Sequence, residues 1–265
     1  MKVYINENQY LSDVLPVIPS NTVLRKKITG CGATRGEIKA NRHSIIIEPN
    51  VPVIKGKCSK HGEDNLFGVH EGVYTTHVVA YLRQSMKANK LFKILATPES
   101  FQKVKEAFEI LGVNMHEECF LLFDECHKIV KDVDYREDIT LPFDDFFQFK
   151  NKALVSATLV EFSDPRFKSF EVVEIEPTYD VRKTLHFCPT NNVLEATKKV
   201  IEHIGSGKIC FFINSTDVID SMMNALGIKE ESTVFCAPKS VERLNERGFM
   251  NARDNWSEDN MKRYN

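Results

Sequence analysis

The sequence predicts an α/β protein built on a parallel sheet, and three observations carry that prediction. Short apolar, β-rich runs alternate with segments of helical periodicity. The runs end abruptly in polar or turn residues, as buried parallel strands do at the carboxyl edge of a sheet. The segment Phe120-Leu121-Leu122-Phe123-Asp124-Glu125-Cys126-His127 joins such a run to two consecutive acids.

The elements follow in order. Ile45–Ile47 is a strand stopped by Glu48-Pro49, and Phe92–Ala96 is one stopped by Thr97-Pro98. Phe120–Phe123 and Ala153–Ser156 are two more. Between them, Thr75–Ala88 and Pro98–Leu111 predict helices. The second carries Phe101, Val104, Phe108 and Leu111 at helical spacing, with Gly112 as its stop. Near Glu176-Pro177 the pattern begins again. A strand is expected over Thr184–Cys188, a helix from Val193 to Ile204, a strand over Ile209–Ile213 and a helix from Asp217 to Leu226. A linker near residues 177–183 divides a first domain, 1–178, from a second, 183–265. The second is shorter than the usual ~100–150 residues of a domain, so it is read as a partial unit.

Composition bounds the function. The chain has 265 residues, 42% hydrophobic and 27% charged, which excludes a disordered protein. No apolar run approaches the ~20 residues of a membrane span, and the first ten residues, MKVYINENQY, lack the apolar centre of a signal peptide. Seven cysteines without regular spacing predict free thiols and a reducing, cytoplasmic setting. The net charge of −2 gives no global basic signature for nucleic acid. Basic residues nonetheless crowd Arg25–Arg42 and recur at Lys55, Lys57 and Lys60, while acids concentrate between Glu117 and Asp145. Such runs are ordinarily solvated faces.

Two segments carry candidate chemistry. Adjacent acids at a strand end are costly to desolvate without a cation, and Mg²⁺ carrying phosphates is the natural one. The plainer reading is that Asp124 caps the next helix. Thr29-Gly30-Cys31-Gly32-Ala33-Thr34 is glycine-rich and precedes a polar, helical segment. Its backbone amides could cradle phosphate, and Thr34 could offer a hydroxyl to Mg²⁺; it could equally be an ordinary turn.

Taken together, these segments resemble the superfamily 2 DEAD/DEAH-type helicases, ATP-dependent nucleic-acid motors with two RecA-like domains. The signatures fall in the family's order. Thr29–Thr34 looks like the end of Walker A. Pro49–Lys57, a loop just after a strand, is in the place of motif Ia, and Thr97-Pro98-Glu99-Ser100 is similar to motif Ib. Asp124-Glu125-Cys126-His127 matches the DExH form of motif II, Ser156-Ala157-Thr158 matches motif III, and Cys210–Ser215 looks like motif IV. The resemblance implies ATP and Mg²⁺ as cofactors, with Thr29, Gly30, Cys31, Gly32, Ala33, Thr34 and Lys27 around the nucleotide. Thr34 and Asp124 would hold the metal and Glu125 would orient or deprotonate the attacking water. His127 would relay to the second domain, and Ser156 and Thr158 would couple nucleotide state to the nucleic-acid face. Pro49, Asn50, Lys55, Thr97 and Pro98 would contact the backbone of a DNA or RNA strand.

The departures bear on catalysis. Ala33 stands where Walker A has its lysine, so Lys26, Lys27 or Arg35 would have to supply that charge. No motif V or VI follows motif IV. Arg243, Arg247, Arg253 and Arg263 are present, but none sits in a motif VI pattern. An arginine finger is worth about 10³–10⁵ in rate, so weak hydrolysis is expected of this chain alone. A carboxyl-terminal portion or a partner chain would carry the missing motifs. Gly205-Ser206-Gly207-Lys208 precedes a strand and reads as a helix stop. Cys58 and His61 lack a second zinc-binding pair, and Phe143, Phe146, Phe147 and Phe149 read as packing rather than base stacking.

Overall fold

The computed structural model describes residues 1–127, 145–158, 164–182, 184–185, 187–205, 209–230, 232–249 and 252–253. Ser206, Gly207, Lys208, Phe143 and Arg263, singled out above, lie outside them, as does the side chain of Arg253. The chain divides into two compact units, Met1–Arg182 and Lys183–Asn265.

The first unit alternates strands and helices: β1 (Lys2–Ile5), α1 (Leu11–Val14), β2 (Thr22–Lys26), α2 (Ala33–Lys39), β3 (His43–Ile47) and α3 (Val51–Lys60). Next come β4 (Leu66–Val69), α4 (Thr75–Lys87), β5 (Lys93–Ala96), α5 (Phe101–Leu111), α6 (Met115–Glu118), β6 (Cys119–Phe123), β7 (Asn151–Ser156) and β8 (Glu171–Pro177). The strands form one eight-stranded sheet in the order β1-β8-β2-β7-β6-β3-β5-β4. Every pairing in it is parallel. All carboxyl ends therefore lie along one edge.

Strand alternation sorts the core onto two faces. Ile45, Ile47, Leu121 and Phe123 pack with Val78, Leu82, Phe101, Val104 and Phe108 of α4 and α5. Leu24, Ile46, Leu122 and Val155 point the other way, onto Leu11, Ile38 and Ile54 of α1, α2 and α3. Phe146 and Phe149 are buried in the first of these cores. Four strands, β1, β2, β4 and β8, are additional to those expected from the sequence. They are short or interrupted by charge, and their neighbours rather than their composition hold them in the sheet. The edge strand β1 pairs with β8, Lys2 opposite Glu174, across nearly the whole unit.

The second unit contains α7 (Val193–Ile204), α8 (Thr216–Leu226), β9 (Val234–Phe235), α9 (Pro238–Glu246) and β10 (Ala252–Arg253). Its strands form a two-stranded parallel sheet, and Met222, Met223, Val234, Leu244 and Phe249 make a small core. The expected strands at Thr184–Cys188 and Ile209–Ile213 are not strands in their described residues. Leu185 is 91% exposed and Phe212 96% exposed. A strand needs a neighbour to receive its backbone bonds, and these segments are outside the two-stranded sheet. No helix among the described residues is long and apolar enough to cross a membrane.

Candidate nucleotide site at the carboxyl edge

Four adjacent strand ends build the site. In the order β2, β7, β6, β3 they deliver Lys26, Ser156, Asp124-Glu125 and Glu48. Ile47 pairs with Phe123, so Glu48 and Asp124 leave the sheet side by side. The Asp124 amide donates to the Ile47 carbonyl at 3.0 Å, which fixes that register beyond the last pair. Lys26, Asp124 and Glu48 share the parity of Leu24, Leu122 and Ile46, so all three turn toward α2 and α3.

Asp124 is the centre. Thr34, on α2, donates its hydroxyl to Asp124 Oδ2. Lys26 Nζ lies 3.4 Å from Asp124 Oδ1 and 2.8 Å from Glu125 Oε1. Lys57, on α3, contacts Glu48 and stands 3.7 Å from Asp124 Oδ2. Burial alone would raise the Asp124 carboxyl, but Lys26, Lys57 and the Thr34 hydroxyl outweigh it and hold it below the ordinary range. Burial likewise works against the Lys26 ammonium, yet Asp124 and Glu125 hold it above the usual lysine value. Glu48 goes the other way: burial pushes it up to about 7 despite Lys57.

Glu125 follows in a turn with φ of 51°, the left-handed region that non-glycine residues seldom occupy. Its carboxylate is held between Lys26 and His127 Nδ1, the latter at 3.3 Å. His127 Nδ1 also lies 2.9 Å from Ser156 Oγ. The Ser156 hydroxyl donates to the Thr158 carbonyl at 2.8 Å and accepts from the Thr158 amide at 3.1 Å. With that hydroxyl hydrogen committed, the Nδ1 position of His127 is the donor. The ends of β6 and β7 are thus tied by one polar chain.

The loop before α2 is shaped by Gly32, whose φ is 84°. A Cβ there would come within 2.8 Å of Tyr10 Cδ1, so only glycine fits. The Cys31 carbonyl accepts from the Leu11 amide at 2.7 Å, which fastens the loop to α1. Cys31, Ala33 and Thr34 are buried while Thr29 and Gly30 are exposed.

No protein-family model and no curated protein matches this chain. Solved structures do. The chain is similar to the DUF1998 helicase MrfA at 13% identity, covering 90% of this chain and 40% of that one, with a TM-score of 0.53. It is also similar to the Pyrococcus furiosus Hef helicase domain at 14% identity, covering 86% of this chain and 49% of that one, with a TM-score of 0.43. A DEAD-box protein from Methanococcus jannaschii follows at 14% identity and a TM-score of 0.41, covering 87% and 68% of the two chains. The chain thus spans half or less of the length of the first two. The eight-stranded unit is RecA-like.

Within this RecA-like unit, Thr34, Asp124, Glu125, His127 and Ser156 come together, with Thr158 bonded to Ser156. Other sequence candidates are placed elsewhere. Lys27 is 60% exposed and pairs with Glu176 at 3.0 Å. Parity explains the separation, because Lys27 follows Lys26 and turns to the opposite side. Arg35 stacks on the Tyr10 ring, 4.1 Å from its centroid. Pro49–Lys57 is not a loop: Asn50 precedes α3, which takes in Val51–Lys60 and keeps Lys55 exposed. Thr97 caps a short 3₁₀ turn that begins at Pro98, and both are buried, so their side chains do not face a strand in solvent. Arg243 and Arg247 bond to α8, at Thr216 and Asp217 and at Asp217 and Asp220. Glu48 is the residue that the sequence reading passed over. Its signal was visible, since Ile45–Ile47 ends in an acid much as Phe120–Phe123 does.

Proposed function

We propose that this chain is a superfamily 2 helicase-like protein of the DExH type that binds ATP with Mg²⁺ at this edge and engages a nucleic-acid strand. Residues 1–178 are the nucleotide-binding domain and 183–265 part of a second RecA-like domain. The observation that carries the reading is the Thr34–Asp124 contact, which joins the glycine loop to the acidic strand end. A hydroxyl and a carboxylate are hard oxygen donors, suited to a magnesium ion whose remaining ligands are phosphate and water. When bound, that ion neutralises charge on the phosphates.

The chain's own residues do the rest. Glu125 orients the attacking water and accepts its proton. His127, donating at Nδ1, holds the Glu125 carboxylate and passes its position to Ser156 and so to β7. Asn50 and Lys55, exposed around the start of α3, meet the phosphate backbone of a single strand and set affinity rather than sequence choice. Ala33 brings no charge to the loop, so hydrolysis depends on another cation reaching the phosphates.

The second reading is a non-catalytic scaffold that keeps the fold for nucleic-acid or protein binding. One observation favours it: Lys26 and Lys57 already neutralise Asp124. Titration with a fluorescent ATP analogue, with Mg²⁺ and with EDTA, decides between them. Magnesium-dependent binding is expected, together with ATP turnover that rises when single-stranded DNA or RNA is added. No binding in either condition would leave only the scaffold.

A further inference from the structure

We propose that Lys26, at the end of β2, is the phosphate-binding cation of this site in place of a loop lysine. The inference rests on the nucleotide reading above and adds to it the group that faces the phosphates.

The argument begins with charge. A triphosphate needs a cation beside the loop, and Ala33 cannot supply one. Four basic side chains lie close in sequence or space. Lys27 is on the far side with Glu176, and Arg35 lies flat on Tyr10. Lys57 is shared between its close buried partner Glu48 and Asp124 at 3.7 Å, and no ion pair joins it to Glu125 among the described residues. Lys26 differs from all three. Its side chain is 8% exposed, and its ion-pair partners are Asp124 and Glu125, the two acids of the site.

Its position is also the right one. The two oxygens of Asp124 are divided, Oδ1 toward Lys26 and Oδ2 toward Thr34. The ammonium and the Thr34 hydroxyl, in the first turn of α2, therefore flank one carboxylate. A phosphate arriving beside Thr34 meets Lys26 with no rearrangement of the backbone. The ammonium then exchanges a carboxylate partner for a phosphate oxygen, and its charge is conserved through the exchange. Glu125 loses its counter-ion in the same step and becomes free to accept a proton. Without nucleotide, Lys26 holds Glu125 in an ion pair and keeps it from acting as a base. One side chain thus binds phosphate and releases the base, and does so only when phosphate is present.

The test uses the whole chain and a fluorescent ATP analogue, displaced in turn by ATP, inorganic tripolyphosphate and adenosine. In Lys26→Met, ATP and tripolyphosphate should bind about 10- to 100-fold more weakly, the worth of a charged hydrogen bond, while adenosine competes as before. Lys39→Met, a surface control bonded to Asp64, should bind all three like the parent. Because Lys26→Met leaves two acids without a counter-ion, the double variant Lys26→Met/Glu125→Gln is measured beside it; it removes one charge of each sign and should show the same selective loss. Unchanged tripolyphosphate affinity in either folded variant overturns the role of Lys26 but spares the nucleotide reading. An equal loss for adenosine and tripolyphosphate overturns it too, since it would mark a collapsed site. Failure of the parent chain to bind ATP or tripolyphosphate overturns both.

Discussion

Cys119–Phe123 and Ile209–Ile213 read almost alike, CFLLF against ICFFI, yet the first is a central strand and the second is not a strand. Every residue of β6 is buried between β3 and β7. Phe212, by contrast, is almost fully exposed. The apolar run supplies something to bury, but a ladder on each side decides whether it is buried. The same contrast recurs between neighbours at the site. Lys26 and Lys27 are identical in chemistry, and strand parity encloses one beside Asp124 and leaves the other in a surface ion pair with Glu176.

The comparison can be broken most forcefully at the phenylalanines. Phe123→Ala should cost about 3–5 kcal/mol of stability, as truncation of a buried aromatic does. Phe212→Ala should stay within about 0.5 kcal/mol. Urea unfolding followed separately for the two units measures both. Equal costs would mean that Ile209–Ile213 is enclosed in solution.

Glu48 sharpens the contrast next, because it is a charge enclosed like a core residue. Its carboxyl is raised from the ordinary 4.5 to about 7. Below 4.5 it is protonated in the folded and unfolded chain alike, so its contribution to stability is then fully present. As pH rises through that window the unfolded chain ionises first, and stability is lost until the folded group ionises near 7. Glu48→Gln has no such slope. The variant should gain about 3 kcal/mol relative to the parent between pH 4.5 and pH 8, read from melts across that range. A gap that does not change with pH would show that Lys57 keeps Glu48 ionised throughout.

Lys27 gives the smallest effect. Lys27→Ala should leave ATP affinity unchanged and cost less than about 0.5 kcal/mol of stability, because exposed ion pairs contribute little. A tenfold loss of affinity would return Lys27 to the site.

Much of the first unit was legible because its long helices and central strands are periodic and bounded by proline, glycine or acids. Ile45–Ile47, Phe120–Phe123 and Ala153–Ser156 fall within β3, β6 and β7. The helix expected over Val193–Ile204 has those bounds. Strand β2 was not legible: it is five residues long and ends Leu24-Arg25-Lys26, with charge where a strand reader looks for apolar residues. Its place depends on β7 and β8, far away in sequence. For the same reason the reading chose among Lys26, Lys27 and Arg35 by proximity alone, whereas strand parity separates the first two. Thr97 and Pro98 fit a motif in order but not in exposure, which a linear pattern does not encode.

The position of β2 has a consequence for how the protein is made. Its neighbours are β7 and β8, and β1 waits for β8 as well. At about 5–20 residues per second, a ribosome that has released Lys26 needs roughly 7 to 30 seconds to deliver the strands on either side of it. Over that interval β3, β5 and β6 can already pair, while Lys26 has no sheet to stand in. The sheet edge at Lys26 is thus finished last, and a nascent chain has Asp124 and Glu125 in place before Lys26 joins them.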